Sequence, residues 1–93
     1  MSTESIALFR LGRIVSTRNA QTRLSIGDIL RAIKRHQAGD WGDVNEPDRQ
    51  ANDRALLEGT RLHSVYHTAS GVKFLLITEA DRSLTTVLFP EDR

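Results

Sequence analysis

Two runs of β-forming residues, Thr60–Thr68 and Val72–Thr78, flank Ala69-Ser70-Gly71, and a third, Leu84–Phe89, follows the polar corner Glu79-Ala80-Asp81-Arg82-Ser83. A three-residue hairpin loop fixes the register of the strands it joins. It sets Thr68 against Val72, Tyr66 against Phe74, Ser64 against Leu76 and Arg61 against Glu79. A second corner over 80–83 then sets Glu79 against Leu84, Leu76 against Val87 and Phe74 against Phe89. Because side chains alternate across a strand, the register divides this antiparallel meander into two faces. One holds Leu62, Ser64, Tyr66, Phe74, Leu76, Thr78, Thr85, Val87 and Phe89. The other holds Arg61, His63, Val65, His67, Lys73, Leu75, Ile77, Glu79, Leu84, Thr86 and Leu88. Both have apolar centres. The second face is therefore expected to be covered as well, by a helix or by another copy of the chain.

Upstream, the periods change. Ile26, Ile29, Leu30 and Ile33 follow helical spacing, with Ser25 as N-cap and Gly39 as the residue past the end, so a helix is expected from Ile26 to about Gln37. Pro47 suits a first helical turn behind Asn45 or Glu46, and that helix should run to about Glu58 and stop at Gly59. Its apolar stripe (Ala51, Ala55 and Leu56 or Leu57) is thin, which places it on the surface. Residues 17–24 suit a turn or one short helix, and Ile6–Ser16 suits an added N-terminal strand weakened by Gly12. The expected fold is α+β, a single domain over 1–93. Two to three helices in the N-terminal two-thirds pack on a C-terminal three-stranded antiparallel meander.

Composition removes several functions. With no cysteine, disulfides, thiolate metal sites and thiol nucleophiles are excluded. His36, His63 and His67 lack metal-ligand spacing, and there is no phosphate-binding glycine motif or nucleophile elbow. No cofactor and no metal are expected. No apolar run reaches the roughly 18–20 residues that span a bilayer, and Met1-Ser2-Thr3-Glu4 lacks a basic leader. The expected location is the cytoplasm, with no membrane partner.

The net charge of +1 conceals a polarity: residues 1–36 carry +5 and residues 37–93 carry −4. The acidic part is concentrated in Asp40, Asp43, Glu46, Asp48, Asp53 and Glu58, on a loop and the thin surface helix. Such a surface either solubilises the chain or occupies a basic channel by charge complementarity. Trp41, between Gly39 and Gly42, either plugs the edge of the core or stands out as an aromatic anchor rimmed by Asp40 and Asp43. Asp40, Trp41, Asp43, Glu46, Asp48 and Asp53 are accordingly the candidate partner-binding residues. Arg31, Lys34 and Arg35 on the first helix offer a thinner alternative, contact with nucleic acid, without a helix-turn-helix spacing behind it.

The meander brings Arg61, His63 and Glu79 toward one end of its second face. Metal-independent RNA cleavage needs those residue types: a carboxylate to take the 2′-hydroxyl proton, an imidazole to protonate the leaving oxygen, an arginine to hold the charge. In architecture and residue type this is similar to the barnase and RelE group of small ribonucleases, which place helices first and the catalytic sheet last. The plainer reading is a cross-strand ion pair beside a surface histidine. Ser64 beside His63 makes no nucleophile–base pair, since neighbouring strand residues face opposite ways.

At His36-Gln37-Ala38-Gly39-Asp40-Trp41-Gly42 and over 77–88 (Ile77-Thr78-Glu79-Ala80-Asp81-Arg82-Ser83-Leu84-Thr85-Thr86-Val87-Leu88) the chain resembles small bacterial proteins carried on plasmids, phages and integrated elements. The resemblance extends from Leu11 onward. It implies an accessory protein of mobile DNA, and small cargo proteins of that kind often inhibit host defence by binding a nuclease complex, as anti-CRISPR proteins do. The expected function is thus non-enzymatic binding of a protein partner, such as a nucleic-acid-guided effector complex. Ribonuclease activity through Glu79 and His63 is the alternative, and a homodimer is open.

Overall fold

The computed structural model describes residues 7–93. Four strands and three helices follow one another as β1 (Arg13–Ser16), α1 (Arg18–Arg23), α2 (Ile26–Gln37), α3 (Glu46–Glu58), β2 (Leu62–His67), β3 (Lys73–Thr78) and β4 (Leu84–Leu88), closed by a 3-10 turn over Pro90–Asp92. The fold is α+β, as expected.

The meander stands in the anticipated register. Ser64 pairs with Leu76 and Tyr66 with Phe74, while Leu76 pairs with Val87 across the second corner. The added N-terminal strand is present as β1; what differs from a purely antiparallel sheet is its direction. The sheet has four strands in the order β1-β4-β3-β2, and β1 runs parallel to β4, so the sheet is mixed. Strand β1 also begins only at Arg13; residues 7–12 are not strand, and Ile6 lies outside the described residues. Gly12 explains the late start. It sits at φ 66°, and a β-carbon there would fall 2.3 Å from the Ser83 carbonyl carbon. The residue read as weakening the strand is what lets the chain pass close enough to the 80–83 corner to join β4.

Each helix starts on a side-chain cap. The oxygens of Thr17, Ser25 and Asn45 accept the N–H groups of Ala20, Asp28 and Asp48 at 3.1, 3.1 and 2.9 Å. Helices α1 and α2 cover the first sheet face with Ala20, Leu24, Ile29, Ala32 and Ile33. Every residue assigned to that face from the register is at most 2% exposed, and it forms the main core. On the second face, Val65, Leu75, Ile77 and Leu88 pack with Val44, and the 43–45 loop, Asp48 in the first turn of α3, Pro90 and Arg93 border the cleft beside Val65 and Leu75. A loop and the chain end supply the cover expected of a helix or a second copy, because α3 lies along the β2 edge instead.

That edge is closed. The Asn52 carboxamide donates to the His63 carbonyl at 2.8 Å and accepts the His63 N–H at 3.0 Å. One pair further on, Val65 exchanges bonds with the Trp41 carbonyl (3.0 Å) and the Asp43 N–H (2.7 Å). Gly42 makes this approach at φ 75°, where a β-carbon would lie 2.0 Å from the Val65 carbonyl oxygen. Gly42→Ala is therefore expected to cost about 3 kcal/mol, combining backbone strain with displacement of the bridge. A urea midpoint equal to that of the parent chain would contradict this.

Candidate functional site

Arg61 and Glu79 meet as anticipated: Nη2 of Arg61 lies 3.4 Å from Oε1 of Glu79, and both side chains are substantially exposed. His63 does not join them. Its ring enters a cleft of about 300 Å³ bordered by Asp43, Asp48, Lys73 and Arg93, which Glu79 does not line. Its Nε2 is shielded from solvent and has no hydrogen-bond partner among the described residues. Burial first, and Arg93 next, hold the imidazole below the usual histidine pKa, which favours the neutral ring rather than a proton donor. The carboxylate and imidazole that cleavage would need on either side of one phosphodiester thus face different surroundings. What Arg61 and Glu79 form is an exposed cross-strand ion pair.

The acidic segment is partly neutralised from within. Asp40 receives Nε and Nη2 of Arg35 at 2.8 and 3.2 Å and the Gly42 N–H at 3.1 Å. The Arg35 guanidinium is the main reason its carboxyl is held below the ordinary range. Asp43 lies 2.7 Å from the Nδ1 of His67, and Glu46 is held by Arg49. Asp53 accepts the indole N–H of Trp41 at 3.0 Å. Among the described residues no cation lies within 4 Å of the Asp48 or Glu58 carboxylate. Residues 40–58 nevertheless keep a net charge of −4.

Of the two readings of Trp41, the plug at the edge of the core holds, and its place among the partner-binding residues as an exposed anchor does not. Trp41 is 3% exposed, packed with Ala55 and Leu62 and set against the rings of Phe9 and His36 with centroids 6.2 and 5.7 Å away. Its area is spent on fastening α3 and the preceding loop to the body, so it presents nothing to a partner. On α2, Arg31 pairs with Asp28 and Arg35 with Asp40. Two of the three residues of the nucleic-acid alternative are thereby engaged within the chain.

The constellation not anticipated is internal. Nδ1 of His36 is 2.6 Å from the Ser64 hydroxyl, Nε2 is 2.8 Å from that of Thr78, and Thr78 is 2.7 Å from Thr85. Thr85 in turn donates to the Leu11 carbonyl at 2.7 Å. That last acceptor orients the whole chain. Thr85 spends its proton on Leu11, so it accepts from Thr78; Thr78 accepts from Nε2–H; and Nδ1 accepts from Ser64. His36 is thus the neutral Nε2–H tautomer. It is fully buried, and burial foremost, with lesser contributions from His63 and Arg82, lowers its pKa to about 4. Ser64 with His36 has the distance of a nucleophile–base pair but no access for a substrate, since both are 0% exposed and the other ring nitrogen is taken. Its role is to join α2 to three strands. One signal was present in the sequence: His36 extends the Ile29–Ile33 stripe, and all three hydroxyls fall on the apolar sheet face.

No helix of the described residues is long and apolar enough to cross a membrane, and no His, Asp and Glu side chains among them cluster as metal ligands. Comparisons with family models, with curated proteins and with solved structures each find no match.

Proposed function

We infer that the protein acts in the cytoplasm as a non-enzymatic binding protein, an accessory of mobile genetic elements that inhibits a host-defence nuclease complex in the manner of anti-CRISPR proteins. The contact surface in this reading is α3 with its preceding loop, laid into a basic nucleic-acid channel of the complex. The observation that carries it is the outer face of α3. Leu57 stands there 89% exposed, next in the chain to Glu58, on a helix whose buried residues are only Asn52 and Ala55. In this reading Leu57 supplies one apolar contact on a surface whose binding is led by charge. Asp48 and Glu58 supply carboxylates free to meet a partner's cations, whereas Asp40 and Asp53 act within the chain.

The reading predicts competition with nucleic acid that weakens with salt. Displacement of labelled nucleic acid from a purified guided nuclease complex should need about tenfold more protein when salt rises from about 50 to about 300 mM. Salt-independent displacement, or none, would exclude a charge-led contact. The ribonuclease alternative keeps only the Arg61–Glu79 pair. Under this proposal, purified protein leaves RNA intact at high concentration and induction does not arrest growth.

A further inference from the structure

We propose that the open edge of β1, with the groove beside it, binds an extended polypeptide segment of a partner protein as an added β-strand, and that this segment is apolar at its centre and acidic at its flanks. The two edges of the sheet are treated differently by the fold. On β2 the outward groups of His63 and Val65 are all satisfied, by Asn52, Trp41 and Asp43. On β1 the N–H groups of Arg13 and Thr17 turn inward to the Ser83 and Val87 carbonyls. Alternation in a parallel pair then turns the N–H and C=O groups of Ile14 and Ser16 outward, where β1 has no neighbour among the described strands. An uncovered edge of this kind is a template for another strand.

Beside that edge lies a groove of about 380 Å³ lined by Ile14, Leu24, Ile26, Ile29, Leu30 and Ile33. Three of these are far from buried: Ile26 is 72%, Leu30 54% and Ile14 44% exposed. They account for half of the large exposed apolar side chains of the described residues. A strand added along β1 would drop every second side chain into this groove, so the hydrogen-bonding edge and the apolar trough call for the same ligand geometry.

Charge decides between occupants. A second cleft that shares Ile14 with the groove is lined by Arg10 and Arg13, together with Asp81 and Arg82; Arg18 follows β1 in the chain, and Lys34 follows Ile33. Among the described residues none of Arg10, Arg13, Arg18 and Lys34 has a carboxylate within 4 Å. The nearby Asp28 is held by Arg31 and Asp81 by Ser83. Antiparallel self-pairing of two β1 strands would set the arginines of one copy against those of the other, a repulsive arrangement. An acidic-flanked segment neutralises them. This surface is separate from the acidic face of α3, and it stands or falls independently of that reading.

The test uses a fluorescein-labelled ten-residue peptide with alternating valine and threonine at its centre and glutamates at both ends. A twin peptide carries lysines in place of the glutamates. The glutamate peptide should bind at least about tenfold more tightly than the lysine twin, and amide hydrogen exchange should slow at Ile14 and Ser16. The double variant Ile26→Asp, Leu30→Asp should weaken binding by about tenfold or more while keeping the parent's circular dichroism, since both side chains are exposed in the free protein. Equal affinity for the two peptides, unslowed exchange at Ile14 and Ser16, or undiminished binding by the folded double variant would each overturn the proposal. So would concentration-dependent protection of those amides without peptide, accompanied by a sedimenting dimer, which would give the edge to a second copy.

Discussion

Replacing Trp41 with alanine is expected to remove about 4 kcal/mol of stability, and to do so by releasing α3 first. The indole is 3% exposed and sits between Phe9, His36, Ala55 and Leu62, with its N–H on Asp53. Beyond Trp41, α3 is tied down by Ala55, by half-buried Leu56, by the Asn52 bonds to His63 and by Arg82, whose guanidinium donates to the carbonyls of Ala55 (3.0 Å) and Thr60 (2.6 Å). A domain of this size has only a few such increments in total, since net stabilities are about 5–15 kcal/mol. Urea unfolding should show the loss, and exchange of the α3 amides should accelerate before that of β3. Trp41→Phe keeps most of the packing and gives up the bond to Asp53, so it should cost about 1 kcal/mol. An alanine variant as stable as the parent would mean that the loop is not held by this residue.

The second large effect is acid destabilisation centred on His36. Its pKa falls from 6.5 to about 4 in the folded protein, so between those values the unfolded chain binds a proton that the folded chain refuses. Stability then rises with pH across that window and is fully present above about pH 6.5; it is lost as pH falls and levels off below about 4. The window of about 2.5 pH units corresponds to roughly 3 kcal/mol. The hydrogen-bond chain gives the physical reason. A proton on Nδ1 would meet the Ser64 hydroxyl already donating to it, and the new charge would sit in a site with no carboxylate bonded to the ring. Half-buried His63 is shifted the same way and adds to the slope. The Asp40–Arg35 pair contributes only at lower pH, where a carboxyl already held below the ordinary range takes up its proton. Urea midpoints from pH 7.5 to 4 should trace the decline, and His36→Gln should flatten most of it while lowering stability at neutral pH.

The meander was legible because two local facts, loop length and period-two alternation, fix its register. Those same facts placed Ser64, Thr78 and Thr85 on the buried face. What they could not show is where α2 would cross that face, and so which side chain would meet the three hydroxyls. Strand β1 left less trace still: it has four residues, and its partner β4 lies near the other end of the chain, Arg13 pairing with Leu84. Gly12 marked the place but suggested the opposite meaning, since a glycine that weakens a strand and one that permits a close crossing look alike in sequence. The acidic segment was visible as composition. Its internal neutralisation was not, because Arg35 reaches Asp40 only through the turn that ends α2, and Asp53 reaches Trp41 only once α3 folds back.

The segments 36–42 and 77–88 meet in space. His36 from one bonds Thr78 of the other, and Thr78 bonds Thr85. Tyr66 donates to the Asp40 carbonyl at 2.7 Å, and Arg82 lies over Phe9, which stacks on Trp41. Much of both segments is therefore spent on joining helices to sheet. Under the proposed function, the contact surface lies outside them, on the exposed side of α3.

The most direct test compares affinities for one purified nucleic-acid-guided nuclease complex among three proteins: the parent, the charge-reversed pair Asp48→Lys with Glu58→Lys, and the pair Arg61→Ala with His63→Ala. Binding led by α3 predicts a loss of at least about tenfold for the charge reversal and a change within about twofold for the alanine pair. The opposite pattern, with the charge reversal neutral and the alanine pair inactive, would contradict the account and return attention to the second sheet face.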